Sequence, residues 1–206
     1  MGSAISTATA STAAFLGSPK KFEVVMVGLD EAGKTGILNR FHRRELPRGV
    51  LPATIPTIGG NYETFTYSQH RISLWDFGGH EKIRPLWRRY FWNGHAFIFV
   101  LDATAPTRFA EAKQELTWLW EGTEKQHPIL VLANKMDLAG AVGLNAIEEA
   151  LGIEKIASSG RAITLKGISA MTGDGVDEAL EWLLQNISYL LIAETDQAKK
   201  NVEQAW

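Results

Sequence analysis

Cysteine is absent from the 206-residue sequence, and this absence excludes two kinds of site. Without thiols the chain forms no disulfide bond and offers no thiolate ligand to a metal, which fits a reducing compartment. No apolar run approaches the roughly 20 residues that a membrane-spanning helix needs. The N-terminus lacks a charged region followed by a continuous apolar stretch, so we expect no secretory signal. The formal net charge is only −2, and nothing global suggests a nucleic-acid partner.

The composition is that of an ordinary globular protein, with 45% hydrophobic and 21% charged residues. From residue 22 onward, β-rich apolar runs alternate with helical patterns. We predict strands at 22–28, 61–67, 70–76, 96–102, 128–133 and 162–168, and helices at 34–43, 85–92, 106–121, 145–151 and 176–193. This alternation predicts an α/β fold in which a mostly parallel six-stranded sheet is covered by helices on both faces. The domain is expected over 20–186, between an N-terminal segment (1–19) and a C-terminal helical extension or tail (187–206).

The first strand runs directly into the stretch Gly28–Thr35, which reads G-x-x-x-x-G-K-T. A helical pattern follows it, so the stretch has the strand–turn–helix setting of a phosphate-binding loop. Backbone N–H groups of such a loop close around phosphates, and the helix N-terminus adds partial positive charge. Lys34 is predicted to reach the β- and γ-phosphates, and the Thr35 hydroxyl to bind Mg²⁺. The predicted phosphate contacts are Asp30, Glu31, Ala32, Gly33, Lys34, Thr35 and Gly36.

Two further motifs carry groups that suit the same ligand. Asp76 closes a predicted strand in Asp76-Phe77-Gly78-Gly79, where an acid can hold Mg²⁺ and the Gly79 N–H can meet a γ-phosphate. Thr57 lies in a long loop rich in proline and glycine, over 44–60. A hydroxyl on such a loop can complete the Mg²⁺ site only when the γ-phosphate is present, which makes the loop a candidate order–disorder switch.

A base-recognition motif, Asn134-Lys135-Met136-Asp137, follows a predicted buried strand. In open α/β sheets, ligands bind at the carboxyl ends of the strands. The Asp137 carboxylate can accept hydrogen bonds from the N1–H and exocyclic amine of guanine, whereas adenine presents the opposite pattern. Ser169-Ala170-Met171 follows the last predicted strand, and the Ala170 N–H is a candidate donor to guanine O6. The predicted base contacts are Asn134, Lys135, Asp137, Ser169, Ala170 and Met171.

Together these motifs resemble the small GTPases of the ADP-ribosylation-factor (Arf) family, including its Arf-like members. The resemblance covers about residues 20–184 and rests on Gly28–Thr35, 56–59, 75–79, 82–88, 134–137 and 169–176. It implies a P-loop GTPase fold, binding of GDP and GTP with Mg²⁺, and slow GTP hydrolysis. It also implies an exchange factor, an activating protein and effectors, and a hairpin over 61–76 that slides in register when GTP binds. Regulation of membrane traffic by effector recruitment is the expected role.

The sequence departs from the family pattern at four positions. His80 stands where the family usually has Gln, although the related Sar-type coat GTPases carry His there. We predict that His80 is catalytic and orients the attacking water; alternatively, it is simply a solvated loop residue. Glu31 puts a carboxylate inside the phosphate loop, and Gly36 replaces a hydroxyl residue. Gly60 replaces the aromatic residue that follows Ile-Gly, whereas Trp75 remains as a candidate partner-binding residue.

The N-terminus begins Met1-Gly2-Ser3-Ala4-Ile5-Ser6, which fits the N-myristoylation pattern. We therefore predict lipidation of Gly2 and cytoplasmic localisation, with peripheral attachment to endomembranes (Golgi or vesicles) in the GTP form. A floppy tail or a remnant of cloning is the alternative. Two functions remain open: a hydrolysing molecular switch, or a GTP-loaded interaction module with negligible hydrolysis, which Glu31, Gly36 and His80 favour. An ATPase or nucleoside kinase is disfavoured by the motif at 134–137.

Overall fold

A six-stranded sheet forms the centre of the structure, a computed structural model that describes residues 20–188. The strand order is β2-β3-β1-β4-β5-β6. Every neighbouring pair is parallel except β2 and β3, which form an antiparallel hairpin at one end of the sheet. The strands are β1 (Lys21–Gly28), β2 (Gly60–Tyr67), β3 (His70–Phe77), β4 (Ala96–Asp102), β5 (Ile129–Asn134) and β6 (Ile163–Gly167). The predicted fold class is confirmed.

Helices cover both faces of this sheet. They are α1 (Lys34–His42), α2 (Phe109–Gly122), α3 (Leu144–Leu151), α4 (Ile153–Ala157) and α5 (176–188), with 3₁₀ segments at Arg84–Asn93 and Pro106–Arg108. Successive residues of β1 and β4 enter opposite cores: Val24 and Ile98 pack with α1 and α5, whereas Val25 and Phe99 pack with α2 and α3. Because both faces are buried, these strands read as continuous apolar runs rather than alternating ones.

The helical predictions differ from the structure in three places. The segment predicted as a helix over 85–92 is a 3₁₀ helix, anchored by Trp87, whose Nε1 donates to the Gly78 carbonyl at 3.0 Å. The helix predicted from 106 starts with a 3₁₀ turn, and α2 begins at Phe109. The short helix α4 was not expected. Gly152 ends α3 in a left-handed conformation (φ 70°), and the chain then starts a new helix.

The β2–β3 hairpin turns through Ser68 and Gln69, which both have positive φ, 43° and 67°. Two left-handed residues in sequence are what a tight two-residue turn requires when its twist matches the flanking strands. The predicted hairpin is therefore present, with Tyr67 paired to His70.

Parallel β1, β3, β4, β5 and β6 all end at the same edge of the sheet, and every predicted binding motif within residues 20–188 follows one of these ends or lies in the loop facing them. The predictions for Gly2, for the N-terminal segment and for the C-terminal tail lie outside the described residues. Within the described residues, no helix combines the length and apolar character needed to cross a membrane.

Candidate functional site

The loop from Gly28 to Lys34 wraps the N-terminus of α1, and glycine is required at two of its positions. A Cβ at Gly28 would lie 2.1 Å from the Val100 carbonyl oxygen, and one at Gly33 would lie 2.3 Å from the Asn134 Nδ2. Both glycines also have positive φ, as does Glu31 at 62°. Glu31 is an exposed residue of this loop.

The Lys34 ammonium is buried beneath this loop. Its Nζ donates to the carbonyl oxygens of Gly28 at 2.9 Å and Leu29 at 2.7 Å. Burial lowers the pKa of Lys34 to about 8, against the opposing effect of the Asp76 and Asp30 carboxylates. This buried cation lies at the N-terminus of a helix and has main-chain carbonyls as its hydrogen-bond partners, so it attracts an anion.

Three predicted magnesium ligands meet beside Lys34. The Thr35 hydroxyl donates to Asp76 Oδ2 at 2.6 Å and lies 3.0 Å from the Thr57 hydroxyl. Asp76 is fully buried, and its Oδ1 has no hydrogen-bond partner within residues 20–188. Burial raises the pKa of Asp76. The two hydroxyl oxygens and the Asp76 carboxylate, whose buried Oδ1 is unpaired within residues 20–188, form a set of oxygen ligands that fits Mg²⁺.

The loops before β2 and after β3 touch each other and the phosphate loop. The Gly78 N–H donates to the Gly59 carbonyl at 2.9 Å. A Cβ at Gly78 would lie 2.3 Å from the Thr57 carbonyl oxygen, and one at Gly79 would lie 2.2 Å from the Asp30 amide nitrogen. Glycine at these positions therefore permits main-chain contact among all three loops. Predicted phosphate-binding residue Gly36 is buried in α1, where a Cβ would meet Leu51 at an ordinary 3.4 Å.

A charged network that the sequence reasoning missed connects these loops to α2. Arg84 donates to the Gly79 carbonyl at 2.8 Å and to Glu111 at 2.6 Å. Arg108 donates to the Asp30 carboxylate at 2.8 Å and to Glu111 at 3.0 Å. Glu111 thus joins the arginine that holds the loop after β3 to the one that holds the phosphate loop. Arg84 falls in the segment 82–88, so its presence was visible, but its partners were not.

His80 is exposed at the start of this network. Its Nδ1 accepts a hydrogen bond from the Lys82 amide at 3.3 Å. A neutral imidazole that accepts at Nδ1 carries its proton on Nε2, so the remaining nitrogen is a donor. In this arrangement the Nε2–H of a neutral His80 is available to donate to a water.

The base-recognition motif is braced by Asn134, which is only 2% exposed. Its Nδ2 donates to the Ala32 carbonyl at 2.9 Å, and its Oδ1 accepts from the Ala170 amide at 3.0 Å. Asn134 therefore ties the phosphate loop to the Ser169–Met171 segment. The Ala170 N–H, expected to be aimed at guanine O6, donates to Asn134 Oδ1 in this structure.

The other predicted base contacts lie around Asn134. Lys135 has a left-handed conformation (φ 67°), and its Nζ donates to Asp102 Oδ2 at 2.6 Å. Asp137 is exposed and lies just beyond the end of β5. Ser169 is buried and accepts from the Thr172 amide at 3.0 Å, whereas Met171 is 43% exposed. The structure brings all six residues to one edge of the sheet.

The motif order, the sheet topology and the two bridged loops can be compared with known proteins. The sequence model of the ADP-ribosylation factor family matches residues 9–187. The chain belongs to the ADP-ribosylation factor family. A solved structure of the Arl6 (BBS3) small GTPase from Trypanosoma brucei, with a bound nucleotide analogue GppNp, is similar to it with a TM-score of 0.73 and 32% identity. That match covers 82% of this chain and 98% of the other.

Arf-family proteins are GTPases that bind GTP or GDP with magnesium, so the family membership and the fold together make this chain a GTP-binding protein of the switch type. The resemblance to the family predicted from the sequence is confirmed. The contacts assigned to each residue of the site remain predictions.

An aromatic cluster near the hairpin explains one departure from the Arf-family pattern. The Trp75 ring stacks on Phe77 at 6.0 Å and 11°, and Tyr62 and Tyr90 lie 4.5 and 5.0 Å from Trp75. A Cβ at Gly60 would lie 2.6 Å from the Phe77 ring. The Phe77 ring therefore fills the space beside residue 60, where the family carries an aromatic side chain.

Proposed function

We propose that this protein is a guanine-nucleotide switch that binds GDP and GTP with Mg²⁺ and hydrolyses GTP slowly until an activating protein assists. One observation carries the proposal. The oxygens of Thr35, Thr57 and Asp76 meet beside the buried Lys34 ammonium, and Asp76 Oδ1 has no partner within the described residues. This arrangement joins the loop over 43–59 to the phosphate loop through groups that a nucleotide with its metal would engage.

The chain's own residues explain how nucleotide state would be sensed. Lys34 would exchange the carbonyls of Gly28 and Leu29 for phosphate oxygens, and so recover the energy that its burial costs. Thr35, Thr57 and Asp76 would hold magnesium, which when bound would neutralise phosphate charge. Loss of the γ-phosphate would free Thr57, and the loop over 43–59 would then separate from Gly78.

Guanine selection would come from Asp137, which offers only acceptors at neutral pH. Its position follows β5, on the same edge as Asn134 and Ala170. A site that hydrogen-bonds its base discriminates strongly against an analogue that lacks the complementary groups, because buried polar groups are then left unpaired.

Slow hydrolysis is the behaviour that the His80 geometry supports. The Lys82 amide donates to Nδ1 at 3.3 Å, so a neutral ring that keeps this contact presents Nε2–H, a donor, to an attacking water. An activating protein that breaks the His80–Lys82 contact would let the ring change tautomer and orient the water. No arginine finger is identifiable in this chain, and such a protein would also supply one.

A second function, the GTP-loaded interaction module with negligible hydrolysis, is favoured by the same His80 contact if nothing releases it. Single-turnover hydrolysis with and without a cognate activating protein separates the two functions. Stimulation identifies the switch, whereas an unstimulated, near-zero rate in both conditions identifies the interaction module.

Regulation of membrane traffic is the cellular role we propose, through effectors recruited to the surface around Trp75 and loaded by an exchange factor. The hairpin over 61–76 would shift in register on GTP binding. Acylation at Gly2, outside the described residues, would give peripheral attachment to endomembranes such as Golgi or vesicles. One acyl chain supplies only marginal, reversible binding. Mass spectrometry of the native N-terminus and GTP-dependent liposome sedimentation test this role, and an unmodified Gly2 without sedimentation contradicts it.

The decisive experiment on the proposed function is nucleotide binding by the purified protein. Chromatography of the released nucleotide should find GDP or GTP in near-stoichiometric amount. Removal of Mg²⁺ with a chelator should accelerate nucleotide release, because Thr35 and Asp76 would lose their shared cation. Protein that carries no guanine nucleotide and binds none in the presence of Mg²⁺ would refute the proposal.

A further inference from the structure

Arg40 is a buried cation that none of the binding motifs explains. It lies on α1, is 4% exposed, and within residues 20–188 its hydrogen-bond partners are all main-chain carbonyls. A buried charge without a carboxylate partner is costly unless its donors are satisfied. Five acceptors surround this guanidinium: Ala170, Met171, Leu46, Pro47 and Val50.

These carbonyls belong to two loops that are far apart in the sequence. On one side, Nε donates to the Ala170 carbonyl at 3.0 Å and Nη2 to the Met171 carbonyl at 2.6 Å. On the other, Nη1 donates to the Leu46 carbonyl at 2.6 Å and Nη2 to the Val50 carbonyl at 3.3 Å. The planar guanidinium of Arg40 thus joins the Ser169–Met171 segment to the loop that leads to Thr57.

Ala170 is held from both of its main-chain groups. Asn134 Oδ1 accepts from its amide, and Arg40 Nε donates to its carbonyl. The next residue is fixed as well, because the Met171 carbonyl also accepts from the Gly49 amide at 2.9 Å. Only a guanidinium offers donors in several directions from one rigid plane, so a lysine would replace only part of this set.

We propose that Arg40 is a positioning residue for guanine: it fixes the main chain of Ala170, so that the Ala170 amide can exchange Asn134 Oδ1 for the base oxygen O6 when a nucleotide binds, and thereby slows nucleotide release. This inference rests on the proposed function. Arg40 itself touches no nucleotide and acts through the two carbonyls that it holds. The Arg40 guanidinium also holds the loop over 43–59. A partner that moves this loop would therefore weaken the contact between Ala170 and the base.

The test compares release of GDP with release of 6-thioguanosine diphosphate from the full chain, by filter retention of labelled nucleotide. Sulfur is a weak acceptor, so the thio analogue has little of the O6 contact to lose. Arg40→Met should accelerate GDP release by about tenfold or more, the factor that corresponds to 1.4 kcal/mol. It should accelerate release of the thio analogue by less than about threefold, and Arg40→Lys should restore part of the slow GDP release.

Arg44→Met is the matched control, because Arg44 contacts Asp177 and the Tyr67 ring instead of the Ala170 and Met171 carbonyls. Its release rates should equal those of the unaltered protein. If Arg40→Met fails to fold, Arg40→Lys gives the same comparison with the charge retained. Equal acceleration of both nucleotides, or none, overturns the inference while leaving GDP binding intact. Unaltered protein that retains no GDP overturns the proposed function and this inference with it.

Discussion

The two ends of the site satisfy their buried polar groups in different ways. At the phosphate end, Asp76 Oδ1 has no partner within the described residues, and burial depresses the pKa of Lys34 to about 8. At the base end, Asn134 uses its amide nitrogen and oxygen on Ala32 and Ala170. The phosphate end therefore keeps a buried acceptor that a cation can bind, whereas the Asn134 side chain at the base end is satisfied by protein groups.

This difference follows from what each end recognises. Charge is recognised by groups whose electrostatic cost is relieved on binding, so some of them must be under-satisfied beforehand. A base is recognised by the direction of a few hydrogen bonds, so its partners must be held rigidly. We expect substitutions at the phosphate end to change the response to Mg²⁺, pH and the γ-phosphate, and substitutions at the base end to change which base is bound.

The largest effect should come from His80→Leu, which removes the water-orienting group from the phosphate end. Stimulated single-turnover hydrolysis should fall by about 10²–10⁴-fold, the usual contribution of a positioned acid–base group. GTP affinity should not change, because His80 is exposed and, within residues 20–188, its side chain bonds to the Lys82 amide alone. His80→Gln is the matched variant and should retain activity, since an amide can accept from and donate to water. Equal stimulated rates for the Leu variant and the unaltered protein would exclude a catalytic role.

Next in size is Thr35→Asn, which removes the hydroxyl that links Asp76 to Thr57. We expect GTP affinity in Mg²⁺ to fall by about 100-fold, as expected for roughly 3 kcal/mol of charge-assisted contact. GDP should be weakened less, leaving GDP-bound or empty protein. Isothermal calorimetry with both nucleotides measures the change, and Thr117→Asn on α2 is the control. Unaltered Mg²⁺-dependent GTP affinity would show that Thr35 is not a metal ligand.

Asp137→Asn should have a somewhat smaller effect, confined to the base end. Guanine nucleotide affinity should fall by roughly 5- to 150-fold, corresponding to about 1–3 kcal/mol for an unpaired polar group. Xanthine nucleotides should be admitted, because the carboxylate acceptor becomes an amide that can donate. Competition binding with GDP and xanthosine diphosphate measures both changes, with exposed Glu148→Gln as the control. Unchanged GDP affinity would show that residue 137 does not read the base.

The smallest effect is a pH dependence of stability that only the nucleotide-free protein should show. The pKa of Lys34 is near 8 when folded and 10.5 when unfolded, so between these values the unfolded chain binds more protons. Unfolding free energy should therefore rise with pH, by about 1 kcal/mol from pH 7 to pH 9. Bound phosphates would raise the folded pKa and suppress this rise.

Denaturant titration of nucleotide-free protein at the two pH values measures this contribution. Lys34→Met should lose it, and Lys125→Met, at an exposed lysine, should keep it. The same pH response in the Lys34→Met protein would mean that another group is responsible.

The sequence was sufficient for those parts of the molecule that depend on local pattern. Strands β1, β4 and β5 were recognisable from their mostly apolar residues, and their ends placed Gly28 and Asn134 at one edge. Thr35 and Thr57, each predicted to bind Mg²⁺, lie 3.0 Å apart in the structure, although a direct contact between them was not predicted. Local signals also placed the Ser68–Gln69 turn, where only two residues separate two strands.

Contacts between distant segments were beyond sequence reasoning. Arg40 reaches Ala170 and Met171 across 130 and 131 residues of chain, and nothing near it in the sequence names those partners. The bonds from Arg84 to Gly79 and to α2 depend on how a 3₁₀ helix packs against the sheet. The hydrogen bond from the Ala170 N–H to Asn134 likewise depends on two strand ends that lie side by side in the sheet.

The Phe77 ring beside Gly60 limits the order in which this surface can change by mutation. Phe77 is 1% exposed and is packed against Trp75 and Tyr90, so its ring has little room to move when a Cβ appears at residue 60. A variant with an aromatic side chain at residue 60 therefore needs a smaller residue at 77. In a variant that keeps Phe77, the two side chains would occupy the same space. Substitutions at these two positions of the hairpin surface are thus coupled, and residue 77 has to change first.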